Sequence, residues 1–279
     1  MVMLSKVQAG SGRVLLTGAS GTLGRVLAVG LAAAGYRLIL SDIVPFPDPL
    51  PEGATFAAAD LTDPEALAAI CPEDVGSIIH FGGINTEKSA NLIYSVNIGG
   101  TTNIFELAKV RGTRVIYASS NHTIGFYPRT QQPITIDDPY RPDGYYGLSK
   151  AYAELLGRMF YDKHGIESVH LRIGSCLPQP TETRHLATWL SYPDLVSLVH
   201  AALRAGNPGF AVVWGISRNA RRWWSGDDAA RIGYEPQDDA ETYAQSVCEE
   251  SGSAVATRFQ GGSMCSGGYT RRDDANPVR

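Results

Sequence analysis

The 279-residue chain has no excess of positive charge: 24 Lys and Arg stand against 28 Asp and Glu, a net charge of −4. Binding a phosphate backbone takes clustered cations, so nucleic acid is excluded as an expected partner. Cysteine is also sparse. Cys71, Cys176, Cys248 and Cys265 are scattered without Cys-x-x-Cys spacing, which excludes a cysteine zinc motif and a dense disulfide framework. Reduced thiols in a cytoplasmic protein are the simplest reading, and no metal is expected. No apolar run reaches the ~18 residues of a membrane span. The most apolar early run, Val26 to Ala34, follows a glycine motif and is read as helix rather than as a signal-peptide core. What remains, 44% hydrophobic and 19% charged, is an ordinary globular composition.

Strands and helices alternate along the chain. After a leader over 1–12, Arg13–Thr17 reads as a short buried strand, 18–24 as a turn, and Arg25–Ala34 as a helix ended by Gly35. Further strands are expected over Tyr36–Leu40, Ala54–Ala58, Ser77–Phe81, Thr113–Tyr117, Ser168–Ile173 and Gly209–Trp214. Helices are expected from Pro64, over 88–110, over Tyr145–His164 and over Asp194–Ala205. Repeated β-α-β units with short buried strands predict an α/β fold, a Rossmann-type doubly wound parallel sheet. The organisation expected is a leader (1–12), a dinucleotide-binding domain (13–173), a small substrate-binding portion (174–262) and an irregular tail (263–279). Two irregular stretches, 121–143 and 174–191, interrupt the rhythm; loops that long in a compact domain are usually functional.

Gly18-x-x-Gly21-x-x-Gly24 lies between a strand and a helix. Glycine there lets the backbone turn sharply and approach a pyrophosphate, which the helix N-terminus then holds. A lone glycine triplet is weak, since tight turns use glycine for packing as well. Asp42 ends the second strand, where a carboxylate can accept both ribose hydroxyls and repel a 2′-phosphate, favouring NAD over NADP. Asp60-Leu61 follows the third strand, where the edge of an adenine would lie; an acid at the start of a helix is nearly as good a reading of Asp60.

Tyr146 and Lys150 are four residues apart and share a helix face. A phenol is a poor base at neutral pH; a nearby ammonium and a helix N-terminus both favour its ionised form. Ser120 sits just past the fifth strand, at the carboxyl edge where such sheets bind ligands. Of Ser119 and Ser120, one is expected to serve turn chemistry; Ser120 is the candidate to bond a reacting oxygen beside Tyr146.

Together, TGASGTLG (17–24), Asp42, Asp60-Leu61, Asn97, Ser119-Ser120 and YGLSK (146–150) resemble the extended short-chain dehydrogenase/reductases over roughly residues 12–235. In that family the tyrosine is the acid/base, the lysine assists it and the serine polarises the substrate oxygen. The resemblance implies that NAD is held by Gly18, Ser20, Gly21, Thr22, Leu23, Gly24, Asp42, Asp60, Leu61, Phe81, Gly82, Gly83, Asn97, Lys150 and Ser175. Longer strings, SSNHTIGFYP (119–128), LRIGSC (171–176), RHLATWLS (184–191), WGISRN (214–219) and RFQGG (258–262), are similar to the uronate dehydrogenase branch. That similarity implies a hexuronic acid substrate, with D-galacturonate or D-glucuronate oxidised at C1 to an aldarolactone.

The implied substrate contacts are Asn85, Ser120, Asn121, His122, Tyr146, Ser175 and Arg184. Arg184 would bind the carboxylate through its planar fork. His122 is read as a hydrogen-bonding group, because Tyr146 and Lys150 already supply the base. A homo-oligomer is expected by analogy with related dehydrogenases. Two rivals stand beside this reading: a nucleotide-sugar epimerase or dehydratase, for which the portion after the sixth strand is short, and a non-catalytic NAD-binding redox sensor, which would not need the Tyr-Lys pair.

Overall fold

A computed structural model describes residues 12–271; residues 1–11 of the expected leader and 272–279 of the expected tail lie outside it. The elements in chain order are β1 (Arg13–Thr17), α1 (Thr22–Ala33), β2 (Leu38–Ser41), β3 (Ala54–Phe56), α2 (Pro64–Ile70), β4 (Val75–His80), α3 (Ala90–Ile93), α4 (Gly100–Arg111), β5 (Arg114–Ser120), α5 (Tyr145–His164), β6 (Ser168–Ile173), β7 (Ser175–Cys176), α6 (His185–Thr188), β8 (Trp189–Leu190), α7 (Tyr192–Arg204), β9 (Phe210–Gly215), α8 (Ala229–Ile232) and α9 (Ala254–Arg258).

Seven strands form one parallel sheet in the order β3-β2-β1-β4-β5-β6-β9, and β7 and β8 pair separately. The chain runs outward from β1 to β3 and then crosses to β4 on the other side of β1. The order therefore reverses between β1 and β4, and a crevice opens outside their carboxyl ends. This is the doubly wound α/β fold the alternation predicts. The strands are short apolar runs because both faces are covered. One face packs Leu16, Leu40, Ile116 and Leu171 against Leu27 and Leu31 of α1 and Leu195 and Val199 of α7. The other packs Leu15, Ile78, Val115 and Tyr117 against Leu67 of α2, Phe105 of α4 and Phe160 of α5.

Several boundaries differ from expectation. α1 starts at Thr22 rather than Arg25, because Gly21 adopts the extended capping conformation and the turn is shorter than its glycines suggest. β5 runs to Ser120 rather than stopping at Tyr117, because Ala118, Ser119 and Ser120 pair in register with Leu171, Arg172 and Ile173 of β6. The helix expected over 88–110 is split: a π-helical turn, Tyr94–Gly99, separates α3 from α4. The expected irregular tail begins with a short 3₁₀ turn at Gly262–Ser266, and α9 lies just before it. Among the described residues no helix is long and apolar enough to cross a membrane.

Candidate functional site

The crevice between β1 and β4 is a cavity of about 960 Å³. The glycine turn Gly18–Gly24 and the start of α1 form its floor. Asp42 and Asp60-Leu61 line one end, Phe81, Gly82, Gly83 and Asn85 the middle, and Ser120, His122, Tyr146 and Lys150 the other end. Of the residues implied by resemblance, Ser20, Asn97, Asn121, Ser175 and Arg184 are not among those lining it.

Two glycines show how the floor is made. Gly18 has φ +72°, and a Cβ there would lie 2.5 Å from the Gly82 nitrogen, so the turn and the segment after β4 touch through backbone alone. At Gly21 a Cβ would meet nothing of the protein closer than the Gly18 carbonyl, at 3.4 Å. The protein's own packing does not demand glycine there; the space a side chain would fill opens into the cavity. Gly21 is also the N-cap of α1, with no side-chain cap and no acid in the first turn. The free N–H groups and positive end of a 12-residue helix thus face a crevice shaped for a phosphate. These residues fit a dinucleotide.

Asp42 secures this turn from the end of β2: its Oδ2 accepts from the Ser20 backbone N–H at 3.1 Å. The Ser20 hydroxyl turns away and donates to the Val44 carbonyl at 2.9 Å. Asp60 is not the cap of α2, which is Asp63, bonded to the N–H groups of Glu65 and Ala66. Asp60 instead accepts from the Thr62 N–H and hydroxyl, both at 2.8 Å, and these bonds hold its carboxyl below the usual range. Asn97, buried in the π-helical turn, clamps the cavity wall from behind. It accepts from the Ile84 N–H at 2.8 Å and donates to the Ile84 carbonyl at 2.9 Å and to the Ser149 hydroxyl at 3.1 Å.

Tyr146 and Lys150 lie on one face of α5, with the lysine Nζ 5.5 Å from the Tyr146 ring centre and 4.8 Å from that of Tyr117. Burial dominates both groups. It pushes the Tyr146 phenol up to about 12, with hydrogen bonding to Ser120 opposing it, and pulls the Lys150 ammonium down to about 7. The expected lowering of the phenol by lysine is therefore outweighed: both groups tend toward neutrality in the buried crevice. Ser119 and Ser120 divide their roles differently from expectation: the turn chemistry falls to Ser120, and Ser119 bonds inside the core. Ser119 donates at 2.5 Å to Glu154, which forms a buried ion pair with Arg172 at 2.8 Å. The Ser120 side chain caps the following 3₁₀ turn by accepting from the His122 N–H at 3.2 Å, on the cavity side.

Three residues around this end escaped the sequence reading. Glu87 accepts from the backbone N–H groups of Tyr145 and Tyr146 at 2.9 and 3.0 Å, capping α5 at the tyrosine itself. Asp143 holds His122, its Oδ2 lying 2.6 Å from Nδ1. Gln260, fully buried, offers its backbone carbonyl to Arg184. None stands at a helical or strand spacing from its partner, so no local pattern marks it.

Arg184 lies just before α6, half-buried. Its Nη1 donates to the Ser175 hydroxyl at 3.0 Å, and its Nε and Nη2 donate to the Gln260 carbonyl at 3.3 and 2.8 Å. Asn121, oriented to satisfy both neighbours, donates to the Ile173 carbonyl at 3.1 Å and accepts from Arg184 Nη2 at 3.2 Å. Burial and then the charge of Arg129 lower the guanidinium pKa, with the more distant Glu250 and Glu182 carboxylates opposing them. All these hydrogen-bond partners are neutral, and among the described residues no carboxylate pairs with it. Ser175 joins it to the cavity wall, between the lining residues Gly174 and Cys176. Trp223-Trp224 packs rather than opening to a ligand: Trp224 stacks on Trp214 with centres 5.0 Å apart and donates to the Gln260 side chain at 2.7 Å.

Comparison with known proteins agrees with this geometry. The model of the NAD dependent epimerase/dehydratase family matches residues 14–233. A uronate dehydrogenase of Pseudomonas putida is 42% identical over 260 residues, which cover 92% of this chain and 96% of that protein. Among solved structures, a glucuronic acid dehydrogenase from Chromohalobacter salexigens superposes with a TM-score of 0.85 at 39% identity, covering 91% of this chain and 97% of the other. A variant of the Agrobacterium tumefaciens uronate dehydrogenase in complex with NAD gives 0.85 at 40% identity, with the same coverage. The chain belongs to the NAD dependent epimerase/dehydratase family, on the branch that carries the uronate dehydrogenases.

Proposed function

We propose that the protein oxidises free hexuronates, D-galacturonate and D-glucuronate, at C1 with NAD, giving the aldarolactone. The observation that carries this reading is Arg184: a half-buried guanidinium with only neutral hydrogen-bond partners, tied through Ser175 to the wall of a cavity that holds a tyrosine-lysine pair. A cation whose direct contacts are all neutral favours an anion brought to it, and a substrate carboxylate supplies one.

When bound, NAD is the acceptor of the C1 hydride. Tyr146 takes the proton of the C1 hydroxyl, and Ser120 donates a hydrogen bond to the oxygen as its charge develops. Lys150 holds the cofactor ribose and assists the phenol. The ring oxygen stays bonded to C1, so the first product is a lactone. Arg184, with Asn121 and Ser175, sets the carboxylate end of the sugar and thereby the position of C1; Asn85 and His122 meet hydroxyls. In this reading residues 13–173 serve chiefly the cofactor and 174–262 the substrate. The four free cysteines support a reducing compartment, the cytoplasm. Exposed apolar side chains along α5, among them Leu148, Leu155 and Met159, support a homo-oligomer.

The test is NADH formation with a panel of free uronic acids, neutral hexoses and UDP-sugars. Turnover confined to free uronates is the expected result; turnover of UDP-sugars alone would replace this reading with an epimerase or dehydratase.

NAD is expected to be used over NADP by roughly 10²-fold in kcat/KM, because a 2′-phosphate would meet the Asp42 carboxylate. Asp42 is already tied to the glycine turn through Ser20 and cannot swing aside without loosening it. Steady-state kinetics with both cofactors decides; similar kcat/KM values would show that Asp42 does not face the 2′ position.

A further inference from the structure

We propose that Asp143 is a positioning residue for this oxidation: it fixes the ring of His122 so that Nε2 meets the sugar as a hydrogen-bond acceptor. The inference rests on the uronate reading for the identity of the sugar but not for the state of the ring.

The Asp143 side chain is fully shielded from solvent, and its Oδ2 lies 2.6 Å from His122 Nδ1. An ionised carboxylate can only accept, so Nδ1 carries the hydrogen. In the neutral imidazole the lone pair is then on Nε2, which has no hydrogen-bond partner among the described residues. His122 lines the cavity, its ring edge-on to Tyr146 with centres 5.7 Å apart. The free nitrogen is thus held beside the proposed proton acceptor.

The socket around the carboxylate is built from three separate segments. A Cβ at Gly125 or at Gly261 would come within 2.0 Å of Oδ2, and one at Gly147 within 2.9 Å of Oδ1. Gly125 follows β5, Gly147 lies in the first turn of α5, and Gly261 comes from the C-terminal segment, whose N–H donates to the Gly125 carbonyl at 2.9 Å. Into this close-fitting socket the chain places an acid whose Oδ1 has no hydrogen-bond partner among the described residues, and whose Oδ2 has one besides His122: the weak Cys265 thiol at 3.8 Å. A buried oxygen left unsatisfied costs stability, so folding alone does not account for it. Holding one nitrogen of His122 does. A histidine side chain in water favours hydrogen on Nε2; without Asp143 that nitrogen would become a donor and the ring could turn.

Two measurements test this. The first is ¹⁵N NMR of the histidine ring in the substrate-free protein. It should show His122 protonated on Nδ1 in the wild type and losing that preference in Asp143→Asn. This needs no substrate, and the wild-type spectrum decides the tautomer even if the amide prevents folding.

The second is a double-mutant cycle on uronate turnover. Asp143→Asn should lower kcat/KM by about 10–100-fold with NAD affinity near normal. In a His122→Phe background the same change should cost less than about twofold, since the ring being positioned is gone. An Nε2-protonated wild type, equal losses in both backgrounds, or loss of NAD binding with activity would each overturn the proposal. If the wild-type protein turns over no uronate, the proposed reaction fails while the tautomer measurement still stands.

Discussion

Arg184→Ala should raise KM for glucuronate and galacturonate by roughly 10³-fold and leave NAD affinity nearly unchanged. A hexuronate differs from its parent hexose by a carboxylate in place of a hydroxymethyl group, so the acid-reading residue carries most of that discrimination. The guanidinium is positioned before substrate arrives, by the Ser175 hydroxyl and the Gln260 carbonyl. Little ordering of the side chain remains to be done on binding; one Nη1 N–H is left for the carboxylate, and a second prong forms by giving up one of the present neutral bonds.

The substitution should not collapse the surrounding chain. Ser175 keeps Thr188 as a partner at 2.9 Å, and the Gln260 side chain stays bonded to Trp224 and to the Gln131 carbonyl. kcat should fall as well, to the extent that the carboxylate aligns C1. Arg184→Lys should recover only part of the loss, because a point charge lacks the fork. Steady-state kinetics of both variants, with NAD affinity measured separately, checks this; unchanged kcat/KM in Arg184→Ala would end the claim that this residue reads the acid.

Tyr146→Phe should lower turnover by about 10²–10⁴-fold with NAD affinity near normal. The ring that packs edge-on against His122 survives the change, and only the proton acceptor is removed. The same group sets the pH dependence. Burial pushes the Tyr146 phenol up to about 12, so the phenolate fraction, and with it the oxidation rate, should climb as pH rises from neutral. Lys150, pulled down to about 7, loses its proton across the same range. Where it is still charged, the ammonium favours the phenolate. Lys150→Met removes that help and should move the climb to higher pH while weakening NAD binding. A pH profile of kcat/KM for the wild type and both variants is the measurement. Wild-type rates in Tyr146→Phe would place the base elsewhere, and His122 would be tested next.

The sheet was legible because its strands are short apolar runs set between glycine and proline, and burial on both faces writes that pattern directly into the chain. The boundaries that were missed have separate physical causes. Ser119 and Ser120 are small and polar and read as turn, but six consecutive pairings of β5 to β6 keep them in the ladder. The π-helical turn leaves no period in the residues. The cofactor end of the cavity was readable because glycines, a strand-end acid and a four-residue Tyr-Lys spacing are local patterns. Glu87, 58 residues from Tyr145, and Asp143, 21 from His122, are partners made by the fold, and no spacing rule reaches them.

The wide turn at Tyr94–Gly99 has a consequence for what the chain can lose. Removing one residue from it would let α3 and α4 run together as a single regular helix, a gain in local backbone regularity. It would also rotate one side of that helix against the other by roughly 100°, the angle one residue subtends. Asn97 would swing away from Ile84, and the backbone from Gly82 to Asn85 would lose its brace. The irregular helix is therefore a compromise between the best helix and the best wall. A deletion here would trade a sturdier scaffold for a slack crevice.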